Sequence, residues 1–151
     1  MRRKEREIVN QQDIEAIIRQ SLVCRLAMTD GNSPYVVPLC FGYQDQTLYF
    51  HGSGQGKKLD LLKKNSQVCF EFDLTTGLKP GKSACDWGIG YKSVIGFGRA
   101  VVIEDRQIKR EALNIIMDQY AEGEFDYSDT ALDRTIVIRV DISSMTGKES
   151  T

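Results

Sequence analysis

Leu48-Tyr49-Phe50-His51-Gly52-Ser53-Gly54-Gln55-Gly56-Lys57-Lys58-Leu59-Asp60-Leu61-Leu62 opens as a short strand, passes three glycines and ends in an apolar-spaced run that predicts a helix. Strand, glycine-rich turn and helix start together make a phosphate cradle. The first backbone N–H groups of a helix lack partners inside it, and the helix dipole favours an anion there. Glycine lets the backbone approach a ligand closely. Lys57 and Lys58 add mobile positive charge. The spacing is not the Walker pattern, and no Ser or Thr follows the lysines, which disfavours a nucleotide-triphosphate loop. The same residues also describe a tight strand-to-helix turn with solvated lysines, and the segment alone leaves both readings open.

Working outward, residues 47–51 predict the strand that feeds this turn, and the helix runs to about residue 64. Upstream, residues 34–43 predict a strand with Tyr35, Val37, Leu39, Phe41 and Tyr43 on one face. Pro38 in its middle cannot donate a ladder hydrogen bond, so it marks an edge or a break in pairing. Residues 24–29 predict another strand, followed by an Asp30-Gly31 turn. Asn10 precedes a helix striped by Ile14, Ile17, Ile18 and Leu22. Residues 1–9 read as an arm over a neighbour or as a solvated lead-in.

Downstream, residues 67–74 alternate, with Val68, Phe70, Phe72 and Leu74 opposed to Cys69, Glu71 and Asp73. Residues 75–92 read as a long irregular loop, partly ordered around the single tryptophan, Trp87. Residues 93–104 predict a long strand. Gly96, Gly98 and Ala100 leave room on one face for something broad or for another backbone, and Ile95, Phe97, Val101 and Ile103 fill the other. Residues 107–120 predict a helix with Ile108, Ala112, Ile115 and Ile116 on one side. Residues 122–134 read as an acidic, solvated loop, and 135–142 as a last strand with Ile136, Ile138, Val140 and Ile142 together. The tail, 143–151, reads as frayed. Six strands and three helices, without βαβ alternation, fit a mainly β domain over 1–151: a small antiparallel barrel with helices outside.

Composition narrows the function classes. The 151 residues carry a net charge of −1, which gives no general attraction to nucleic acid or to an anionic membrane. No apolar run approaches the ~20 residues that span a bilayer, and the charged N-terminus has no apolar signal core, so a cytoplasmic location is expected. Cys24, Cys40, Cys69 and Cys85 form no C-x-x-C pair, and His51 is the single histidine. This disfavours a metal site and predicts free, mostly buried thiols, with Cys85 the exception in a loop.

Three segments carry a family resemblance: Arg25-Leu26-Ala27-Met28-Thr29-Asp30-Gly31 with Pro34-Tyr35-Val36-Val37-Pro38-Leu39; Leu48-Tyr49-Phe50-His51-Gly52 with Gly56-Lys57-Lys58; and Tyr91-Lys92-Ser93-Val94 with Gly98-Arg99-Ala100. In order and spacing they resemble the FMN-binding split-barrel family related to pyridoxamine 5′-phosphate oxidase. Within it, the chain is most similar to the 5-nitroimidazole-resistance branch, including the opening Met1-Arg2-Arg3-Lys4-Glu5-Arg6-Glu7-Ile8.

The resemblance implies a homodimer with FMN at the subunit interface. It places Val36, Val37, Pro38 and Leu39 along the isoalloxazine, Phe50, His51, Gly52 and Ser53 beside the ring and ribityl chain, and Gly56, Lys57 and Lys58 on the phosphate. Tyr91, Ser93 and Val94, with Trp87, would arrive from the partner subunit; Trp87 fits a core or interface residue as well. Two departures separate the chain from the oxidase proper: two lysines stand where an arginine pair is usual, and the arginine-containing segment closing on Leu-Pro is missing. The implied function is an FMN-dependent oxidoreductase passing electrons from a donor such as NADH or NADPH to a small acceptor, a nitroaromatic among the candidates. The alternative is a flavin or haem carrier, or a redox sensor, without turnover. His51 could act catalytically by donating a proton beside the flavin, or could serve only in local packing. No nicotinamide fingerprint follows a strand.

Overall fold

The computed structural model describes residues 3–150. Met1, Arg2 and Thr151, at the ends of the expected arm and tail, lie outside the described residues. The strands are β1 (Glu7–Ile8), β2 (Cys24–Thr29), β3 (Pro34–Leu39), β4 (Gly42–Gln44), β5 (Thr47–Ser53), β6 (Gln67–Lys79), β7 (Gly88–Ile103) and β8 (Thr135–Ser150). The helices are α1 (Gln11–Gln20), α2 (Lys57–Lys64), α3 (Arg106–Asp118) and α4 (Asp129–Arg134), with 3-10 turns at Lys4–Arg6 and Ala84–Asp86. All eight strands belong to one antiparallel sheet in the order β3-β2-β6-β7-β8-β5-β4, with β1 on β8. The two ends of that order, β3 and β4, are joined by only Cys40 and Phe41. The chain therefore carries the sheet round onto itself, and the barrel is split at this corner.

The corner is pinned from outside. Phe41 is fully buried, with its ring edge-on to Phe72 at 4.8 Å. The Phe41 amide donates to the Tyr120 hydroxyl at 2.9 Å, which itself donates to the Leu22 carbonyl at 3.0 Å. Gln119 Nε2 donates to the carbonyls of Arg19 and Ser21, both at 2.9 Å. The end of α3 thus ties the end of α1 to the split. At Gly42 a Cβ would lie 2.7 Å from three backbone atoms of Ile115 and Ile116, so α3 rests directly on the strand.

Inside the barrel, Leu26, Leu48, Phe50, Phe70, Phe72, Ile138 and Val140 are buried, and Ile14, Ile17 and Ile18 of α1 join them. The alternation expected over 67–74 holds, as does the shared face of Tyr35, Val37, Leu39 and Tyr43. The expected small-residue face of β7 points inward. Gly96 admits the Phe70 ring and Gly98 admits the backbone of Asp141, so the space goes to one ring and one neighbouring strand. The opposite face is filled only at Ile103, where α3 covers it. Ile95 and Phe97 stay exposed, at 46% and 54%.

Several expectations need correction. The predicted strand over 34–43 breaks after Leu39, because the chain turns there to close the barrel; Pro38 does lie on an edge strand, opposite Arg25. Residues 75–92 are mostly strand: β6 and β7 continue as a hairpin arm, leaving residues 80–87 as its tip, where Ser83 and Asp86 form a reciprocal cap. The tail continues β8 to Ser150, paired with β7 and β1, so through Ser150 it is not frayed. The arm of residues 1–9 contributes β1 instead of a solvated lead-in. Residues 122–134 contain α4, capped by Ser128 and anchored by buried Leu132. Leu22 falls beyond the end of α1 and is 70% exposed, and Ile108 is also exposed. Of the thiols, Cys24 is buried but Cys40 is exposed. With these corrections the count becomes eight strands and four α-helices among the described residues.

Candidate functional site

The end of β5 pairs with the start of β8: His51 with Val137, Gly52 with Ile136, Ser53 with Thr135. Along β5 the side chains alternate. Leu48 and Phe50 point into the core, and His51 is exposed. Of the predicted ligand residues, Phe50 could therefore meet a ligand only through its backbone. After Ser53 the chain turns through Gly56, whose φ of 123° suits glycine and whose Cβ position is open space. Gly56 is the N-cap of α2 and no side chain caps it. Its carbonyl accepts from the amides of Leu59 and Asp60. The amides of Lys57 and Lys58 precede the first intrahelical bonds and have no partner within the helix.

The two lysines diverge. Lys57 is exposed, with Nζ 4.6 Å from the ring centroid of Tyr35 on β3. Lys58 is half-buried, and its Nζ lies 3.2 Å from the position a Cβ on Gly52 would occupy. Burial lowers the Lys58 pKa from its ordinary value. Among the described residues no carboxylate lies within 4.0 Å of that ammonium. The structure therefore brings together β3, the end of β5 and the start of α2 on one rim. Val36 and Pro38 face outward on β3, and Val37 and Leu39 turn toward the core. As an edge strand, β3 offers an unpaired row of backbone groups, less the N–H that Pro38 lacks.

The remaining predicted residues sit elsewhere. Tyr91 pairs with Ser150 at the far end of β8, whereas Ser53 pairs with Thr135 at its near end. Those two ends lie roughly 50 Å apart along the strand at ~3.3 Å per residue. Ser93 pairs with Lys148, close to Tyr91. Val94 is fully buried, so its side chain cannot line a surface site. Trp87 is exposed at the tip of the arm, and the arm strands carry Leu78 directly opposite Ile89, both exposed.

Sequence reasoning missed two features. The alternation that sets Tyr35 on one face of its strand gives no sign that its ring reaches α2. On the outer sheet face, Val36, Ala27, Cys69 and Phe97 stand in one cross-strand row, of which Ala27, Cys69 and Phe97 line a cavity of about 280 Å³. In the next row Arg25 bonds Glu71 at 2.9 Å and also Asp73, which raises the Arg25 pKa. The register needed to see either row appears only once strands are paired. Among the described residues no three of His, Cys, Asp and Glu converge as a metal centre requires, and no helix is long and apolar enough to cross a membrane.

The arrangement has known counterparts. A solved structure of a candidate 5-nitroimidazole antibiotic resistance protein from Bacteroides thetaiotaomicron is 40% identical, with 95% of this chain and 86% of that one covered and a TM-score of 0.85. The flavocytochrome Anf3 from Azotobacter vinelandii shares the fold at 24% identity, TM-score 0.89, over all of this chain and 72% of that one. An FAD and heme binding protein from Mycobacterium smegmatis does so at 19% identity, TM-score 0.87, over 96% and 73%. No match to a curated protein was found. Residues 10–149 match the family described as Pyridoxamine 5′-phosphate oxidase, and with the split barrel built as above the chain belongs to that family.

Proposed function

We propose that this chain is an FMN-dependent oxidoreductase acting as a homodimer on a small acceptor, with a nitroaromatic such as a 5-nitroimidazole as the first candidate. The observation that carries the reading is the half-buried ammonium of Lys58, which no carboxylate among the described residues meets, beside an uncapped, glycine-opened helix start. A phosphate monoester supplies the missing negative charge and accepts from unpartnered amides. The residues present therefore fit the group.

Bound there, FMN supplies two-electron chemistry between a donor such as NADH or NADPH and the acceptor. The chain's own residues do the rest. The Lys58 ammonium and the first amides of α2 hold the phosphate, and Gly52 and Gly56 keep side chains out of its way. Val36, Val37, Pro38 and Leu39 offer an edge strand whose backbone can bond the polar rim of a flat heterocycle. His51, exposed at the end of β5, holds a proton at an imidazole nitrogen for delivery to the acceptor. The partner's arm closes the site with Trp87, Tyr91 and Ser93 and the backbone at Val94. The separation of the two residue groups along β8, and the exposed Leu78, Ile89 and Trp87, support a second copy.

The test is the absorption spectrum and mass of the ligand that co-purifies, followed by NADH or NADPH oxidation with a 5-nitroimidazole present. A flavin band with acceptor-dependent turnover is expected. Protein that stays colourless and ignores added FMN refutes the reading. A flavin or haem spectrum without turnover replaces it with a carrier role.

A further inference from the structure

We infer that the two adjacent lysines do different work: Lys58 is the anion contact, and Lys57 is a positioning residue that clamps α2 to β3 through the ring of Tyr35. This rests on the flavin-site reading above and assigns roles within it. Neighbouring residues on a helix do not share a face, so the two side chains leave α2 in different directions. Lys57 goes to Tyr35, with its Nζ 4.6 Å from the ring centroid. That is a cation–π contact, and it occupies the charge that sequence alone assigns to the phosphate. Tyr35 packs against the main core from β3, one residue before Val36. The contact therefore fixes the distance between the helix start and the edge strand along which the ring system is proposed to lie.

Lys58 has the opposite surroundings. It is half-buried, its tip lies against the space left by Gly52, and no carboxylate among the described residues meets it. A partly desolvated ammonium with no counter-charge favours an incoming anion strongly. The consequence is a division of specificity. Lys58 discriminates a phosphorylated flavin from the dephosphorylated one. Lys57 affects both equally, because it acts only through the placement of β3.

The experiment titrates FMN and riboflavin, by quenching of flavin fluorescence, into wild-type protein and into Lys57→Gln, Lys58→Gln, Tyr35→Leu and the Lys57→Gln/Tyr35→Leu double variant. Lys58→Gln should weaken FMN by about tenfold or more and leave riboflavin within about twofold, the size expected for one charge-assisted bond to phosphate. Lys57→Gln and Tyr35→Leu should each weaken both flavins by one common factor of about two to five, and the double variant should be no worse than the poorer single. Selective loss of FMN in Lys57→Gln overturns the assignment, as does equal loss of both flavins in Lys58→Gln. If wild-type protein binds neither flavin, the site reading itself fails. The clamp then still stands or falls on the melting temperatures of the flavin-free proteins, where the losses of Lys57→Gln and Tyr35→Leu must be non-additive in their double variant and those of Lys58→Gln and Tyr35→Leu additive in a Lys58→Gln/Tyr35→Leu double variant.

Discussion

Replacing Tyr120 with Phe removes one oxygen and leaves the ring, so it isolates the hydrogen bonds that hold the split of the barrel. Two are lost: the 2.9 Å bond from the Phe41 amide and the 3.0 Å bond to the Leu22 carbonyl. They differ in weight. Leu22 is exposed, so water replaces the hydroxyl there at little cost. Phe41 is fully buried, and an N–H left without an acceptor in such a place costs about 1–3 kcal/mol. Tyr120 as a whole is 37% exposed, so water can in part replace the missing oxygen, which favours the middle of that range. The expected destabilisation is ~1.5–2.5 kcal/mol, or a fall in Tm of about 3–10 °C for a chain of this size. Urea unfolding should show a lower midpoint at unchanged m.

A second signature is specific to the hydroxyl. Burial pushes the Tyr120 pKa up to about 12. A group whose folded pKa is raised contributes stability that is complete below its unfolded value, near 10, and is lost as pH climbs to the folded one. The wild-type protein should therefore lose part of its advantage over Tyr120→Phe between pH 10 and about 12. Tyr43, also raised to about 12, is common to both proteins and cancels. Equal stability of the two at pH 7, or an equal slope above pH 10, refutes the role given to the corner.

Other outcomes follow from the same geometry. Gly42→Ala puts a methyl 2.7 Å from helix backbone that cannot rotate away, so it should cost ~3 kcal/mol or more in urea unfolding, whereas Gly88→Ala, with nothing within 4 Å of its Cβ position, should be close to neutral. Arg106→Ala breaks the paired bonds to Asp133 at 2.8 and 2.7 Å; both partners are about half exposed, so global stability should fall by less than ~1 kcal/mol, with the loss seen as faster amide exchange confined to α4. Leu78→Lys with Ile89→Lys, directly opposed on the arm, should shift sedimentation from dimer to monomer and lower FMN affinity; a dimer unaffected by both charges would remove the arm from the proposed assembly.

How much of this was legible depended on whether the side chains kept a period. Val68, Phe70 and Phe72 alternate without interruption because one face meets the core, and that strand was found at its start. The same strand continues past Leu74, but the residues there lie beyond the core: Thr75, Thr76 and Gly77 are exposed, and Gly77 takes a φ of 118° at an irregularity in the register. A strand with no buried face leaves no period to read. The last part of β8 hid for a related reason, since Ser144, Thr146 and Lys148 are polar and owe their strand conformation to pairing with β7 and β1. The acidic stretch disguised α4 because its charges answer Arg106 and Arg110, which lie on a different helix. At the candidate site, the glycine turn and helix start were visible locally, but the divergence of Lys57 and Lys58 depends on Tyr35, brought there by tertiary contact.

The length of β8 links the fold to the proposed assembly. Thr135 to Asp141 of β8 pairs with β5 and closes the barrel, and beyond it Ile142 and Met145 still pack on the core while Gly147 lies against Ile14 of α1. The chain goes on to Ser150, alongside a β7 that begins well before the barrel's inner layer, and past that point β6 and β7 continue alone as the arm. A two-stranded hairpin is marginal in water by itself. This one also exposes Leu78, Trp87 and Ile89, which adds apolar surface that favours a covering partner. The rim at the other end of β8 has the complementary lack: an edge strand with free backbone groups, an exposed Val36 and a lysine with no counter-charge among the described residues. In the proposed dimer, a two-fold pairing that laid each arm across the other copy's rim would cover both at once and turn two open half-sites into two enclosed ones. The arm variant and the FMN titration therefore test one device from its two ends, and losing dimerisation without losing FMN affinity would show that the ends are independent.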